Sequence, residues 1–415
     1  MNHPIEIMSP AGSFETMTAA IQAGANAVYF GIEQLNMRAR STNNFTIDDL
    51  PTIVAKCRAA GVKTYLTVNT ILYNHDLALL HKICDAAKKN SVTAVIASDI
   101  AAISYANSIG LEVHISTQQN VSNVEAVAFY AKFADVIVLA RELTLMQIEQ
   151  ISEAIKERDI RGPKGELVQI ELFAHGALCV AISGKCYMSL ATDNASANRG
   201  ACLQNCRRSY RVTDNETGEE LVIDNQYIMS PKDLCTIGFI DKILAAGIRV
   251  LKLEGRGRSV EYVYTVTKAY REAVDSYKDG IYTPEKIAAW TKKLESVFNR
   301  GLWHGGYYLG KKLGEWSGAY GSQATKEKVF IGSAEKYFAD PKVGQFIIES
   351  GELSIGDSII IAGPTTGIIE TVVKSMRVND IEVTKAIKGN TVTLPIESTV
   401  RGSDKLFVLI DRAHA

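Results

Sequence analysis

The sequence has no excess charge of either sign: 45 Lys and Arg stand against 46 Asp and Glu, a formal net charge of −1. Overall charge therefore recruits neither a nucleic acid nor a membrane surface, and an RNA substrate would need a local basic patch. Long hydrophobic runs are missing as well. None reaches the ~18 apolar residues that span a bilayer, so no membrane partner is expected. The opening residues Met1-Asn2-His3-Pro4 lack the basic and apolar regions of a secretory signal. The expected location is cytoplasmic, where disulfides are rare. Three catalytic patterns are also absent: the HExxH zinc motif, the GxSxG nucleophile elbow and the CxxxCxxC of radical enzymes.

What is present is an ordinary globular composition, 47% hydrophobic and 22% charged over 415 residues. That length suits a barrel with a small second domain. The first part repeats one unit, a short apolar run followed by an amphipathic stretch. The runs are Ile5–Met8, Ala27–Phe30, Lys63–Val68, Ala94–Ala97, Leu111–Ile115, Val136–Leu139, Val168–Phe173 and Val250–Leu253. Each reads as a strand buried on both faces. Helical patterns lie between them, and Gly24, Gly61, Gly110 and Gly247 stand where a left-handed residue ends a helix. Eight such units predict an α/β chain with a (β/α)8 TIM-like barrel over residues 1–280. An open doubly wound sheet is the alternative.

One connection breaks the rhythm. Roughly 75 residues separate the seventh run from the eighth, far more than such a loop needs. This insertion, at about 177–236, contains a predicted hairpin of Tyr210–Thr213 and Glu220–Ile223. Residues 281–327 read as a helical segment, Pro284–Asn299, followed by a Gly/Tyr-rich linker. Residues 328–415 alternate in short strands, including Val343–Ile348, Thr371–Val378 and Lys405–Ile410, and predict a small all-β barrel domain.

Five of seven cysteines fall in the insertion: Cys179, Cys186, Cys202, Cys206 and Cys235. Thiolates are soft ligands that suit iron–sulfur clusters and zinc. Typical zinc pairs are spaced by two to four residues, which favours the cluster. Buried free thiols are the bland alternative, but those usually scatter through core elements, as expected for Cys57 and Cys84 on apolar helix faces.

The stretch Glu171-Leu172-Phe173-Ala174-His175-Gly176-Ala177-Leu178-Cys179, continuing through Ser183-Gly184-Lys185-Cys186-Tyr187-Met188-Ser189, resembles the signature of peptidase family U-32. Arg199-Gly200-Ala201-Cys202, Cys206-Arg207 and Ser230-Pro231-Lys232-Asp233-Leu234-Cys235 extend the match. So do Ser9-Pro10-Ala11-Gly12 and Leu251-Lys252-Leu253-Glu254-Gly255-Arg256. The family was first described as collagenase-like, and its better understood members hydroxylate RNA or ubiquinone. The resemblance implies a 4Fe–4S cluster on Cys179, Cys186, Cys202 and Cys235, with Cys206 able to replace one of them. By length and appended β domain the chain is similar to the tRNA-hydroxylating branch. That implies prephenate-dependent formation of 5-hydroxyuridine at the wobble position, with tRNA as partner and a redox or accessory protein as a further one. A collagenase-like peptidase is the alternative.

Barrel active sites lie at the C-terminal strand ends. Ser9, Tyr29, Asn69, Ser98, His114, Ser116, Gln118, Arg141, Glu142, His175, Glu254 and Arg256 gather at these predicted ends. Arg141 and Arg256, with Arg38 and Arg40 as further candidates, are natural partners for a small dicarboxylate donor such as prephenate. Glu142 and Glu254 would neutralise them, and His175, Glu254, Arg256 and Arg141 are the expected catalytic group. Arg199, Arg207, Arg208 and Arg211, with Tyr187 and Tyr210, are candidates to hold RNA.

Overall fold

A computed structural model describes residues 4–40, 44–208, 210, 213–218, 230–310, 316–317 and 321–412. Strands β1 (Glu6–Pro10), β2 (Ala27–Phe30), β3 (Lys63–Val68), β4 (Ala94–Ala97), β5 (Glu112–Ile115), β6 (Val136–Val138) and β7 (Gln169–Gly176) pair in parallel in sequence order. The short β8 (Asp233–Cys235) follows within the insertion. Then β9 (Val250–Leu253) pairs in parallel with both β7 and β1 and closes an eight-strand barrel. The predicted TIM-like barrel is thereby found, and the open sheet is excluded.

Helices α1 (Phe14–Gln22), α2 (Leu50–Ala59), α3 (Leu77–Lys89), α4 (Ile100–Ser108), α5 (Val124–Tyr130) and α6 (Leu145–Glu157) follow the first six strands. Their starts are written in the sequence. Ser13 with Thr16, and Thr144 with Gln147, form reciprocal capping boxes on α1 and α6. Helix α7 (Met188–Asp193) belongs to the insertion, and α8 (Ile240–Ala245), α9 (Val260–Lys278) and α10 (Pro284–Ser296) complete the outer layer. Apolar side chains from strands and helices merge into one core, including Ile7, Leu66, Ile137, Leu251 and Tyr270. A smaller cluster inside the barrel contains Met8, Tyr29, Tyr65 and Ile96. Among the described residues no helix is long and apolar enough to cross a membrane.

The Gly/Tyr-rich stretch is more than a connection. Its strand β10 (Leu302–His304) pairs in parallel with β8, Trp303 is fully buried, and Tyr308 donates to the Phe173 carbonyl at 2.8 Å. Glycine-rich composition suggested a linker, but the aromatic residues between the glycines anchor it to the barrel wall. The predicted hairpin beginning at Tyr210 falls largely outside the described residues.

The C-terminal part contains β11 (Lys326–Phe338), β12 (Val343–Ile348), β13 (Glu352–Ser354), β14 (Ser358–Gly363), β15 (Gly367–Val372), β16 (Arg377–Val378), β17 (Ile381–Glu382), β18 (Lys385–Ile387), β19 (Thr391–Pro395) and β20 (Lys405–Asp411). Eight form an antiparallel sheet in the order β15-β14-β20-β11-β12-β19-β16-β17, and β13 pairs with β18. The expected strand Thr371–Val378 is split: β15 ends at Val372, and the backbone N–H of Val373 turns to the Asp357 carbonyl. The sheet has its own apolar core around Phe346, Leu353 and Leu406. It rests on α1 and α9 through Ala19, Val260, Ile360 and Ile368, and the Gln22 side chain bonds the backbone of Thr366 and Ile368. This contact is on the outer helical layer, so the sheet leaves the barrel mouth open.

Candidate functional site

Strand β9 and the loop after it carry charges at alternate positions: Lys252, Glu254 and Arg256. Alternate strand residues face one side, and here that side is the barrel axis. Lys252 pairs with Glu171 at 2.8 Å, its ammonium 4.7 Å from the ring centre of Tyr29 and 5.4 Å from that of Phe173. Glu254 accepts from Arg38 Nη2 at 3.2 Å and from the Tyr29 hydroxyl at 2.9 Å. Arg256 donates to Thr67 Oγ1 at 3.0 Å. Arg141 lies 3.9 Å over the Phe173 ring and donates to the Ala177 carbonyl at 3.3 Å. Burial pushes the Glu254 carboxyl up, but Arg38, Arg141 and Arg256 outweigh it and hold the group at about 2.

These groups line an open cleft of about 140 Å³ at the barrel mouth, together with Asn69, Ser116, Gln118, Cys179, Cys202 and Cys206. Among the described residues, five cations (Arg38, Arg141, Arg207, Lys252 and Arg256) line it against the single carboxylate of Glu254. Gln118 Oε1 and Arg141 Nε are buried there without a hydrogen-bond partner among the described residues. A buried orphan acceptor and donor beside surplus positive charge suit an anion with further hydrogen-bonding groups.

Not every expected strand-end residue reaches this cleft. Ser9 bonds to Thr267 on α9, His114 packs at a tilt against Tyr65 inside the barrel, and Glu142 is exposed. His175 is the main correction. Simple alternation from Glu171 and Phe173 would turn it inward. The β7–β9 register shifts between Phe173 and His175, which reverses the side and packs the imidazole against Tyr262 and Tyr270 of α9. Burial, with His304 and Arg258 nearby, lowers its pKa to about 3, so it stays neutral and turned away from the cleft.

The described part of the insertion lies across the mouth as a lid. The backbone N–H of Ile71 bonds to the Asn198 carbonyl at 3.0 Å, that of Arg40 to the Gly200 carbonyl at 3.3 Å, and Arg199 forks onto Asp76. Gly184 suits its φ of +77°, and an added Cβ would also displace the end of the Gln118 side chain, 2.0 Å away. Cys206 lies within electrostatic reach of Cys179, Cys202 and Cys186; burial raises its thiol, the neighbouring thiols add to that, and Arg207 opposes it. Cys235 stands apart, fully buried on β8, where burial pushes its thiol up to about 12. Cys235 is thus set apart from the other four, and Cys206, the expected substitute, lies nearer to Cys179, Cys186 and Cys202. A soft set of four thiols from one lid fits an iron–sulfur cluster by its chemistry. As the side chains are placed, no three His, Cys, Asp or Glu among the described residues converge closely enough to hold a metal ion.

The expected arginine patch is also divided. Arg199 is committed to Asp76 and stacks on Tyr73, and Arg207 is turned inward to Ser230, Pro231 and Leu178. Arg211 lies outside the described residues, while Arg208 is exposed. Lys185 and Tyr187, the latter 73% exposed, share the lid surface.

With this geometry, residues 12–318 match the family model of Peptidase family U32. The chain belongs to peptidase family U32. A protein named collagenase from Porphyromonas gingivalis is 58% identical over 97% of this chain and 97% of its own length. A tRNA hydroxylation protein P of Helicobacter pylori is 32% identical over 72% of this chain and 71% of its own. A 23S rRNA 5-hydroxycytidine synthase of Escherichia coli is 34% identical over 66% of this chain and 40% of its own. Within this U32 chain, sequence reasoning assigned no role to Lys252, Thr67 or Phe173. The signal was available for Lys252, since a lysine two residues before Glu254 in an otherwise apolar strand must share its face.

Proposed function

We propose that the chain is an RNA-modifying hydroxylase whose barrel mouth binds an anionic donor beside a 4Fe–4S cluster held by Cys179, Cys186, Cys202 and Cys206. The finer form of this reading is prephenate-dependent 5-hydroxyuridine formation at the tRNA wobble position. One observation carries it: three lid cysteines line the same cleft as Arg38, Arg141, Lys252 and Arg256. The relatives named for tRNA and rRNA hydroxylation support RNA as the substrate class.

Each group has a part. Arg141 and Arg256 face the two sides of the cleft and would each grip a carboxylate. Glu254 holds Arg38 and orients the Tyr29 hydroxyl. A bound cluster would supply redox-active iron next to the donor. On the lid surface, Tyr187 offers a face for base stacking, with Lys185 and Arg208 for phosphate. Nucleoside analysis of tRNA from cells lacking the gene tests the reading, with loss of 5-hydroxyuridine-derived wobble nucleosides expected. Unchanged nucleosides in a strain that also lacks any parallel pathway would overturn it.

A second reading, a collagenase-like peptidase, is favoured by the name of the 58% identical relative. It would need a nucleophile paired with a base, and no histidine lines the cleft among the described residues. Cleavage of collagen or peptides by pure protein, abolished in Cys179→Ala, would favour it over hydroxylation.

A further inference from the structure

Lys252 has a placement that anion binding alone does not require. It is 5% exposed, yet lines the cleft. It lies between the two expected carboxylate grips, sharing the Phe173 ring with Arg141 and the Tyr29 ring with Arg256. Among the described residues its ionic partner is Glu171, which is fully buried and whose Oε2 has no hydrogen-bond partner there. A carboxylate serving only as a counter-ion gains by satisfying both oxygens. Here one oxygen, at 0% exposure, is left spare in the carboxylate that holds the Lys252 ammonium.

We propose that Lys252 is a nucleophilic amine that condenses with the carbonyl of a 2-oxo carboxylate bound in the cleft. This deepens the reading of the cleft as an anion site and rests on it. The ligand's carboxylate is gripped by Arg141 or Arg256, which brings its carbonyl carbon to the Lys252 amine between the two aromatic rings. Glu171 accepts a proton from the ammonium. The freed amine adds to the carbonyl carbon, and the nitrogen proton passes to the former carbonyl oxygen to give a carbinolamine. Glu171 returns its proton to the departing hydroxyl, which leaves as water, and a protonated imine remains. One C–N double bond replaces one C–O double bond, and no oxidant or reductant is consumed. Arginine at this position would preserve the charge and abolish the reaction.

The test uses the full chain, pyruvate as probe and borohydride to reduce any imine, followed by mass mapping of the peptides. The expected result is a reduced pyruvate adduct on the Lys252 peptide, approaching one per chain, and none on that peptide in Lys252→Arg. Glu171→Gln should slow labelling by roughly a hundredfold, the usual worth of a positioned acid–base group. An unlabelled Lys252 peptide in the native chain overturns the proposal, as does labelling spread over surface lysines. The native chain alone decides this if the variants fold poorly. Oxalate, an anion without a ketone, separates the two readings. If oxalate raises the melting temperature while Lys252 stays unlabelled, the imine fails and the anion site stands. If oxalate does not bind either, both fall.

Discussion

Cys57 and Cys84, on the inner faces of α2 and α3, and Cys235, on β8, sit at 0% exposure in the barrel's apolar core, where burial pushes each thiol up to about 12. Cys179, Cys186, Cys202 and Cys206 lie partly exposed in the lid, within one another's fields and beside a cleft rich in arginine. The same side chain is a small hydrophobe in the first region and a candidate soft ligand in the second. What separates them is access and neighbours. A thiolate needs water, cations or a metal to stabilise it, and around these three burial outweighs what little is offered, such as Lys56 beside Cys57.

The sharpest way to break this comparison is to count iron. Anaerobically prepared protein is expected to hold about four irons per chain, the content of one cubane cluster. Cys206→Ala should lose the iron entirely, as should Cys179→Ala, while Cys235→Ala keeps it. Iron lost from Cys235→Ala but retained in Cys206→Ala would reverse the assignment made from the fold. Stoichiometric zinc without iron would remove the cluster altogether.

Next in size is the cleft's one carboxylate. Glu254 is held at about 2 against its ordinary 4.5. Its folded value is depressed, so its contribution is complete above about 4.5 and disappears as pH falls through about 2. At neutral pH that amounts to something on the order of 3 kcal/mol, at about 1.4 kcal/mol per pH unit. Chemical denaturation across pH should show Glu254→Gln less stable at pH 7 and flatter in acid than the native chain. An unchanged acid limb would mean that the three arginines do not act on Glu254 together.

A smaller effect is expected in the apolar core. Cys84→Ala should cost about 1 kcal/mol of stability, typical of a small buried truncation, without changing metal content. The smallest concerns the lid surface. Arg208→Ala should weaken RNA binding and make the log–log salt slope shallower by about 0.7, the value for one phosphate on a single strand. Arg199→Ala should instead destabilise the lid, because Arg199 already answers Asp76. If Arg208→Ala leaves binding and slope unchanged, the lid face does not hold RNA.

Much of the barrel was legible because strands buried on both faces announce themselves locally. Ala27–Phe30, Lys63–Val68, Ala94–Ala97 and Val250–Leu253 appear where the apolar runs place them. Helices Ile100–Ser108 and Leu145–Glu157 are equally plain from periodicity and caps. The Gly/Tyr-rich stretch misled because glycine count says nothing about where Trp303 goes. The candidate site was half legible: Arg141, Glu254 and Arg256 reach the cleft, whereas His175 and Cys235 do not.

By itself, then, the sequence determined the repeated strand–helix unit, the β-rich end, the grouping of cysteines in one long insertion and the arginines near strand ends. Each is a local or compositional property, carried by periodicity of 2 or 3.6 and by residue type. Only the tertiary structure decided which thiols line the cleft and which side of the wall a residue faces. A register shift of one residue between β7 and β9 turns His175 from the mouth to the helix layer. Pairing of β8 with β7 and β10 draws Cys235 into the wall, while the lid, tied down at Asp76, Ile71 and Arg40, carries Cys206 to the cleft. These outcomes depend on contacts between segments far apart in the chain, where a single bulge or buried ring overrides what neighbouring residues prefer.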